Sequence, residues 1–136
     1  MDRRFLLPAV GLVLASVIAL AHHSIPGAYL IEKEITVEGI LREFHFVNPH
    51  PFLVVEVRGV NGIAKKWKFE MDNRSELSEA GMTKDTFKSG DRVIVKGNPA
   101  ASVKESLYIR KLERPSDGFR YEQVGSSPRI TSKSAN

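Results

Sequence analysis

From Ile35 onward the chain alternates apolar and polar residues. Over Phe52 to Arg58, Leu53, Val55 and Val57 share one parity while Glu56 and Arg58 take the other. Over Lys66 to Met71, Trp67, Phe69 and Met71 oppose Lys66, Lys68 and Glu70. Successive side chains leave a strand on opposite faces, so each segment predicts a half-buried β-strand. Val60-Asn61-Gly62 lies between them, and Asn-Gly is the strongest short hairpin signal, so the two strands are expected to pair antiparallel.

Ile35 to Val47 predicts a longer strand with a defect. Ile35, Val37 and Leu41 share a parity, after which the apolar positions shift to Phe44 and Phe46. One extra residue flips the inward set, which places a β-bulge or sharp bend near Gly39. Asn48-Pro49-His50-Pro51 ends this strand and turns the chain. The period then changes over Asn73 to Met82. Asn73 or Ser75 can cap a short helix with Leu77 and Ala80 on one face and Gly81 as its stop. Thr83 to Phe87 predicts a further helical turn ended by Ser89-Gly90. Asp91 to Gly97 reads as a fourth strand with Val93 and Val95 inside, Asn98-Pro99 as a turn, and Leu107 to Leu112 as a fifth strand.

Three strands, a short helix and two strands is the element order of the five-stranded OB barrel, in which a long, bent first strand serves both halves of the sheet. The expected fold is therefore all-β with one short helix, a small five-stranded OB-like barrel over residues 35–118. Another small barrel, or an open sheet capped by the helix, is the alternative. Trp67, Phe69, Phe44 and Phe46 could form a base-stacking platform of the kind OB barrels offer to single strands. Their inward parity reads better as core packing. Residues 22–34, with Pro26-Gly27, predict a turn or extended arm rather than a helix. Residues 119–136 are Ser- and Pro-containing and are expected to be a disordered tail, having few apolar groups to offset ordering entropy.

Residues 1–21 have a different character. Arg3-Arg4 is a short cationic head, Phe5 to Leu20 carries no charge, and Ala19-Leu20-Ala21 is a small-x-small cleavage signal. This pattern predicts a secretory signal peptide, with a periplasmic or secreted product beginning at His22 and no transmembrane segment after cleavage. An uncleaved anchor is the alternative, but the apolar run falls short of the roughly 20 residues usual for a span. Cleavage lowers the formal net charge from +4 to +3, because Arg3 and Arg4 leave with Asp2. The excess is mild and spread along the chain, so it reads as a solvated surface with a weak preference for anionic partners. The chain has no cysteine, which excludes disulfides, thiol nucleophiles and thiolate metal sites.

Several motifs together carry a resemblance. His22-His23-Ser24 follows the signal, then come Glu43-Phe44-His45-Phe46-Val47-Asn48-Pro49-His50 and Trp67. Downstream lie Leu77, Gly81, Gly90-Asp91-Arg92-Val93-Ile94-Val95-Lys96-Gly97, Pro99-Ala100 and Asp117-Gly118. In these features the chain resembles DUF6152, a family of small secreted bacterial proteins of unknown function. Phe46 stands where the family pattern has tryptophan, which keeps an aromatic there. The resemblance lends no activity.

All four histidines fall between His22 and His50. After cleavage His22 offers its imidazole and an α-amine of ordinary pKa, about 8, which a metal can deprotonate at neutral pH. His23 adds a second imidazole. His50 is held between two prolines that restrict its backbone, so it loses little entropy on coordination. Imidazoles plus an amine, without thiolate, match copper or zinc, and His22, His23 and His50 are the candidate metal ligands. The competing reading makes the first two a free terminus and His50 an occupant of a tight turn. His45 has the parity opposite Phe44 and Phe46 and is left out of the set. Glu70 and Asp72 read as a solvated strand edge, and no Ser-His-Asp or Cys-His set supports an enzyme. The expected function is an exported OB-like binding module for a metal ion, with no nucleic-acid partner. The runner-up is a non-catalytic adaptor docking an envelope protein partner.

Overall fold

The computed structural model describes residues 25–125 and 127–132. Seven strands form one sheet, ordered β3-β2-β1-β4-β5-β6-β7, with β3 also paired to β5. The strands are β1 (Ile35–His45), β2 (Phe52–Arg58), β3 (Ala64–Glu70), β4 (Arg92–Pro99), β5 (Ser106–Arg114), β6 (Phe119–Val124) and β7 (Ser127–Thr131). The parallel β3–β5 pairing, Lys68 opposite Ser106 through Glu70 opposite Tyr108, closes the first five into a barrel. The fold is thus the five-stranded OB-like barrel that the element order predicts, with two added strands.

The first strand does what the parity shift requires. Residues 35–40 pair with β4 and residues 40–45 with β2, so β1 serves both halves. The bulge falls between Leu41 and Glu43, which pair with Val55 and Val54, leaving Arg42 as the extra residue. Leu41 is thereby kept inside and Phe44 returned to the core side, edge-on to Phe87 at 5.0 Å between ring centres. Gly39 has a separate purpose. A Cβ there would press on the carbonyl oxygen of Glu56 and stand 2.6 Å from Val55 Cγ1. Gly97 does the same on β4, where a Cβ would meet the Tyr108 carbonyl oxygen and lie 2.9 Å from Leu107 Cδ1. Both glycines let neighbouring strands close together where the barrel bends.

Leu41, Val55, Phe69, Val93 and Val95 are wholly buried, as their alternation predicts. Trp67 is only half-buried. It packs against the core near the end of the barrel, its ring 6.2 Å from that of Phe69. The helix of the pattern is α2 (Arg74–Glu79), capped by Asn73, whose side-chain oxygen accepts from the Ser75 amide at 2.8 Å. Leu77 is its buried residue.

Four expectations are corrected. Residues 119–131, expected to be disordered, form β6 and β7, because Phe119, Tyr121 and Gln123 alternate inward and are buried. Ile25–Ala28 is a single helical turn, α1, within the arm. Thr83 to Phe87 forms turns instead of helix. Two of its amides are taken by side chains, Thr83 N–H donating to Thr86 Oγ1 (2.9 Å) and Asp85 N–H to Thr83 Oγ1 (3.2 Å). Asn98-Pro99 continues β4. Buried Asn98 donates to the carbonyl of Lys33 (2.8 Å) and accepts from Arg110 Nε (2.6 Å), clamping the arm to the barrel.

Candidate functional site

Prolines on both sides of His50 shape a loop between β1 and β2, with a cis Asn48–Pro49 bond. The loop is tied down on the side facing α2. Met71 N–H donates to the Pro51 carbonyl (2.8 Å) and Arg74 N–H to the Pro49 carbonyl (3.0 Å). The His50 ring takes part in the same lacing, with Nδ1 3.0 Å from the Met71 carbonyl oxygen. A carbonyl can only accept, so this contact makes Nδ1 the donor. In the neutral ring, Nε2 then carries the lone pair, the form in which imidazole binds metals.

The arm arrives at this loop. Tyr29 bridges to Ala100, Ala101 N–H donates to the Ala28 carbonyl (2.9 Å), and Leu30 N–H donates to the Pro99 carbonyl (2.9 Å). The Tyr29 ring is buried and lies 5.7 Å from that of Tyr108. Its hydroxyl donates to Glu70 Oε2 at 2.5 Å. Burial and the adjacent Glu70 carboxylate push the Tyr29 phenol well above its ordinary pKa, so it stays protonated. Between arm and loop lies an open groove of about 400 Å³, lined by Ala28, Tyr29, Val47, Asn48, Pro49, His50, Phe52, Lys68 and Glu70.

Of the three predicted metal ligands, His50 lines this groove, whereas His22 and His23 lie outside the described residues. Among the described residues, no group of three or more His, Asp or Glu side chains is arranged to hold a metal ion. His45 does not line the groove, although it sits beside Phe52, which does. Its ring stacks on Phe52 at 4.4 Å and its Nε2 lies 2.6 Å from Glu43 Oε2.

Tyr29 and Glu70 are site residues that sequence reasoning misses. The Glu70–Asp72 pair does not act as one. Glu70 turns to Tyr29, while Asp72 Oδ2 accepts from buried Gln123 (2.7 Å) and Asp72 Oδ1 from the Asn73 amide (2.7 Å). The spacing of Glu70 at the end of an alternating strand marks an edge, and nothing local signals a partner 41 residues away.

Comparison with known proteins places the chain in a family. No curated protein matches it. Among solved structures it is similar to Rim1, the mitochondrial single-stranded DNA binding protein of S. cerevisiae, at 11% identity and a TM-score of 0.45. That likeness covers 60% of this chain and 92% of Rim1. It is also similar to the ZRD-deleted mutant of TiaS in complex with agmatine, at 14% identity and a TM-score of 0.46, covering 74% of this chain and 26% of that one. The chain thus spans about a quarter of TiaS. The match that extends over most of the sequence is to DUF6152, a family of unknown function, across residues 10–107, and the chain belongs to that family.

Proposed function

We propose that this chain is an exported, periplasmic or secreted OB-like module that binds copper or zinc through His22, His23 and His50, and that it is not an enzyme. One observation carries the reading: the arm that follows His22-His23 is pinned beside the groove that His50 lines. Ala28 follows His22 by six residues, a stretch that even fully extended chain spans in at most about 21 Å. The Met71 carbonyl holds the His50 ring in the tautomer that leaves the lone pair on Nε2, the outer-sphere arrangement usual around histidine ligands. No helix among the described residues is long and apolar enough to cross a membrane. Leu30, Ile31 and Val47 are exposed apolar residues on the arm and the His50 loop. They favour, as a second reading, an adaptor that docks an envelope protein and has no stoichiometric metal site.

Calorimetric titration of Cu(II) into the exported protein separates the two. The metal reading expects one site per chain, weakened by His50→Ala and by a single extra residue ahead of His22, with His45→Ala indifferent. No stoichiometric binding leaves the adaptor. Equal affinity with and without the extra residue removes the amine from the site.

A further inference from the structure

We propose that the open edge of β3 is a docking site at which an extended, acidic segment of a partner protein adds a strand to the sheet. This surface uses neither the arm nor His50 and does not depend on a metal.

The edge follows from the way the barrel closes. Every residue of β3 pairs with β2, Phe52 opposite Glu70 through Arg58 opposite Ala64, but only Lys68, Phe69 and Glu70 pair with β5. Lys68 N–H donates away from β2, to the Glu105 carbonyl at 2.9 Å. Backbone groups repeat with period two along a strand, so those of Ala64 and Lys66 point the same way. Among the described residues no strand meets them there. Their N–H and C=O groups are thus left in the arrangement that strand addition uses. The other edge of the sheet is blunted. β7 is five residues long and carries Pro128, which has no N–H to give.

Beside this edge lies an open groove of about 280 Å³, whose lining includes Lys66, Trp67, Lys68, Val103, Lys104 and Glu105. Its charge selects the occupant. Glu105, the carboxylate of the lining, is taken by Lys65 at 3.1 Å, and Glu56, opposite Lys66, is taken by Arg42 at 3.2 Å. Lys66, Lys68 and Lys104 make no ion pair among the described residues. A second copy of this edge would set lysine against lysine, which repels, whereas an acidic strand is attracted. Lys66 and Trp67 leave β3 on opposite faces. An added strand would therefore place alternate residues beside the lysines and beside the half-buried Trp67. Val103, exposed in the loop before β5, adds apolar surface to the same groove. The fit is to a segment that alternates Asp or Glu with apolar residues.

Trp67 is the one tryptophan of the chain, so its emission reports on this groove directly. The test titrates the exported protein, in metal-free buffer, with a short acetylated and amidated peptide of alternating glutamate and valine. Trp67 emission should shift, and the Lys66 amide should move in the NMR spectrum and exchange more slowly with solvent. Lys66→Gln combined with Lys104→Gln should melt as wild type does, since both side chains are exposed, and bind about 5- to 10-fold more weakly, the loss of two exposed ion pairs. Unchanged Trp67 emission and an unchanged Lys66 amide at millimolar peptide overturn the proposal. Equal binding of a lysine–valine peptide overturns the acidic partner. Equal binding of the glutamate–valine peptide N-methylated along its backbone, which cannot donate to the Lys66 carbonyl, overturns strand addition. Dimerisation through the same amides without peptide makes a second copy the occupant, and tighter binding of a single-stranded oligonucleotide makes it a nucleic acid; either overturns the protein partner.

Discussion

Trp67 and Phe69 stand two residues apart on the same face of β3, yet one is half-buried and the other has no exposed surface. Parity tells which face a residue joins. Depth depends on where the barrel ends, which the alternation does not record. Phe69→Ala opens a cavity in the core, at a cost of about 3–5 kcal/mol. Trp67→Ala should cost clearly less, because its ring already meets solvent on one side. Urea unfolding of both variants checks the order; a Trp67→Ala loss as large as that of Phe69→Ala would show the ring to be core. At the same scale His50 was legible in the sequence, since flanking prolines mark it. Tyr29 and Glu70 were not, because their hydrogen bond joins residues distant in sequence.

At the scale of elements, the five barrel strands and α2 follow from local pattern, because alternation, the Asn-Gly turn and the Asn73 cap all agree. Residues 119–131 were obscured by their composition. β6 has three inward positions, one of them Gln123, which is buried only because Tyr121 and Asp72 satisfy its amide. A polar residue on the inward parity erases the signal that would have marked the strand. Arg114 staples this extension to the barrel. It donates to Asp91 (2.9 Å), to Asp117 (3.0 and 2.8 Å) and to the Thr86 carbonyl (2.6 Å), and lies over the Phe119 ring. Arg114→Gln should lower stability by roughly 1.5–3 kcal/mol, the range for hydrogen bonds to charged groups. The Arg114 guanidinium holds the Asp117 carboxyl below its ordinary pKa. A carboxyl lowered in the folded state contributes stability above its unfolded pKa, about 3.9, and loses it as the pH falls through the folded value. Asp117 is half-exposed, so this amounts to about 1 kcal/mol at most. Asp117→Asn should flatten the acid limb of a pH-dependent melting curve below about pH 4. An unchanged limb would place the acid sensitivity elsewhere.

For the whole molecule, the barrel's contribution is to hold two remote segments side by side. Asn98 clamps residues 31–33, the Tyr29–Ala100 bridge fixes the start of the arm, and the β1–β2 loop is laced to the entrance of α2. His50 and the arm that follows the amino-terminal histidines thereby line one groove, in a chain without cysteine. The central claim is that these histidines share one metal. It is tested most directly by NMR of the exported protein with substoichiometric Cu(II), whose unpaired electron broadens nearby signals. The account predicts broadening of the His50 ring, of the Glu70 and Met71 amides and of residues 22–24 together, at the same metal ratio. Broadening confined to residues 22–24, with His50, Glu70 and Met71 left sharp, would contradict it.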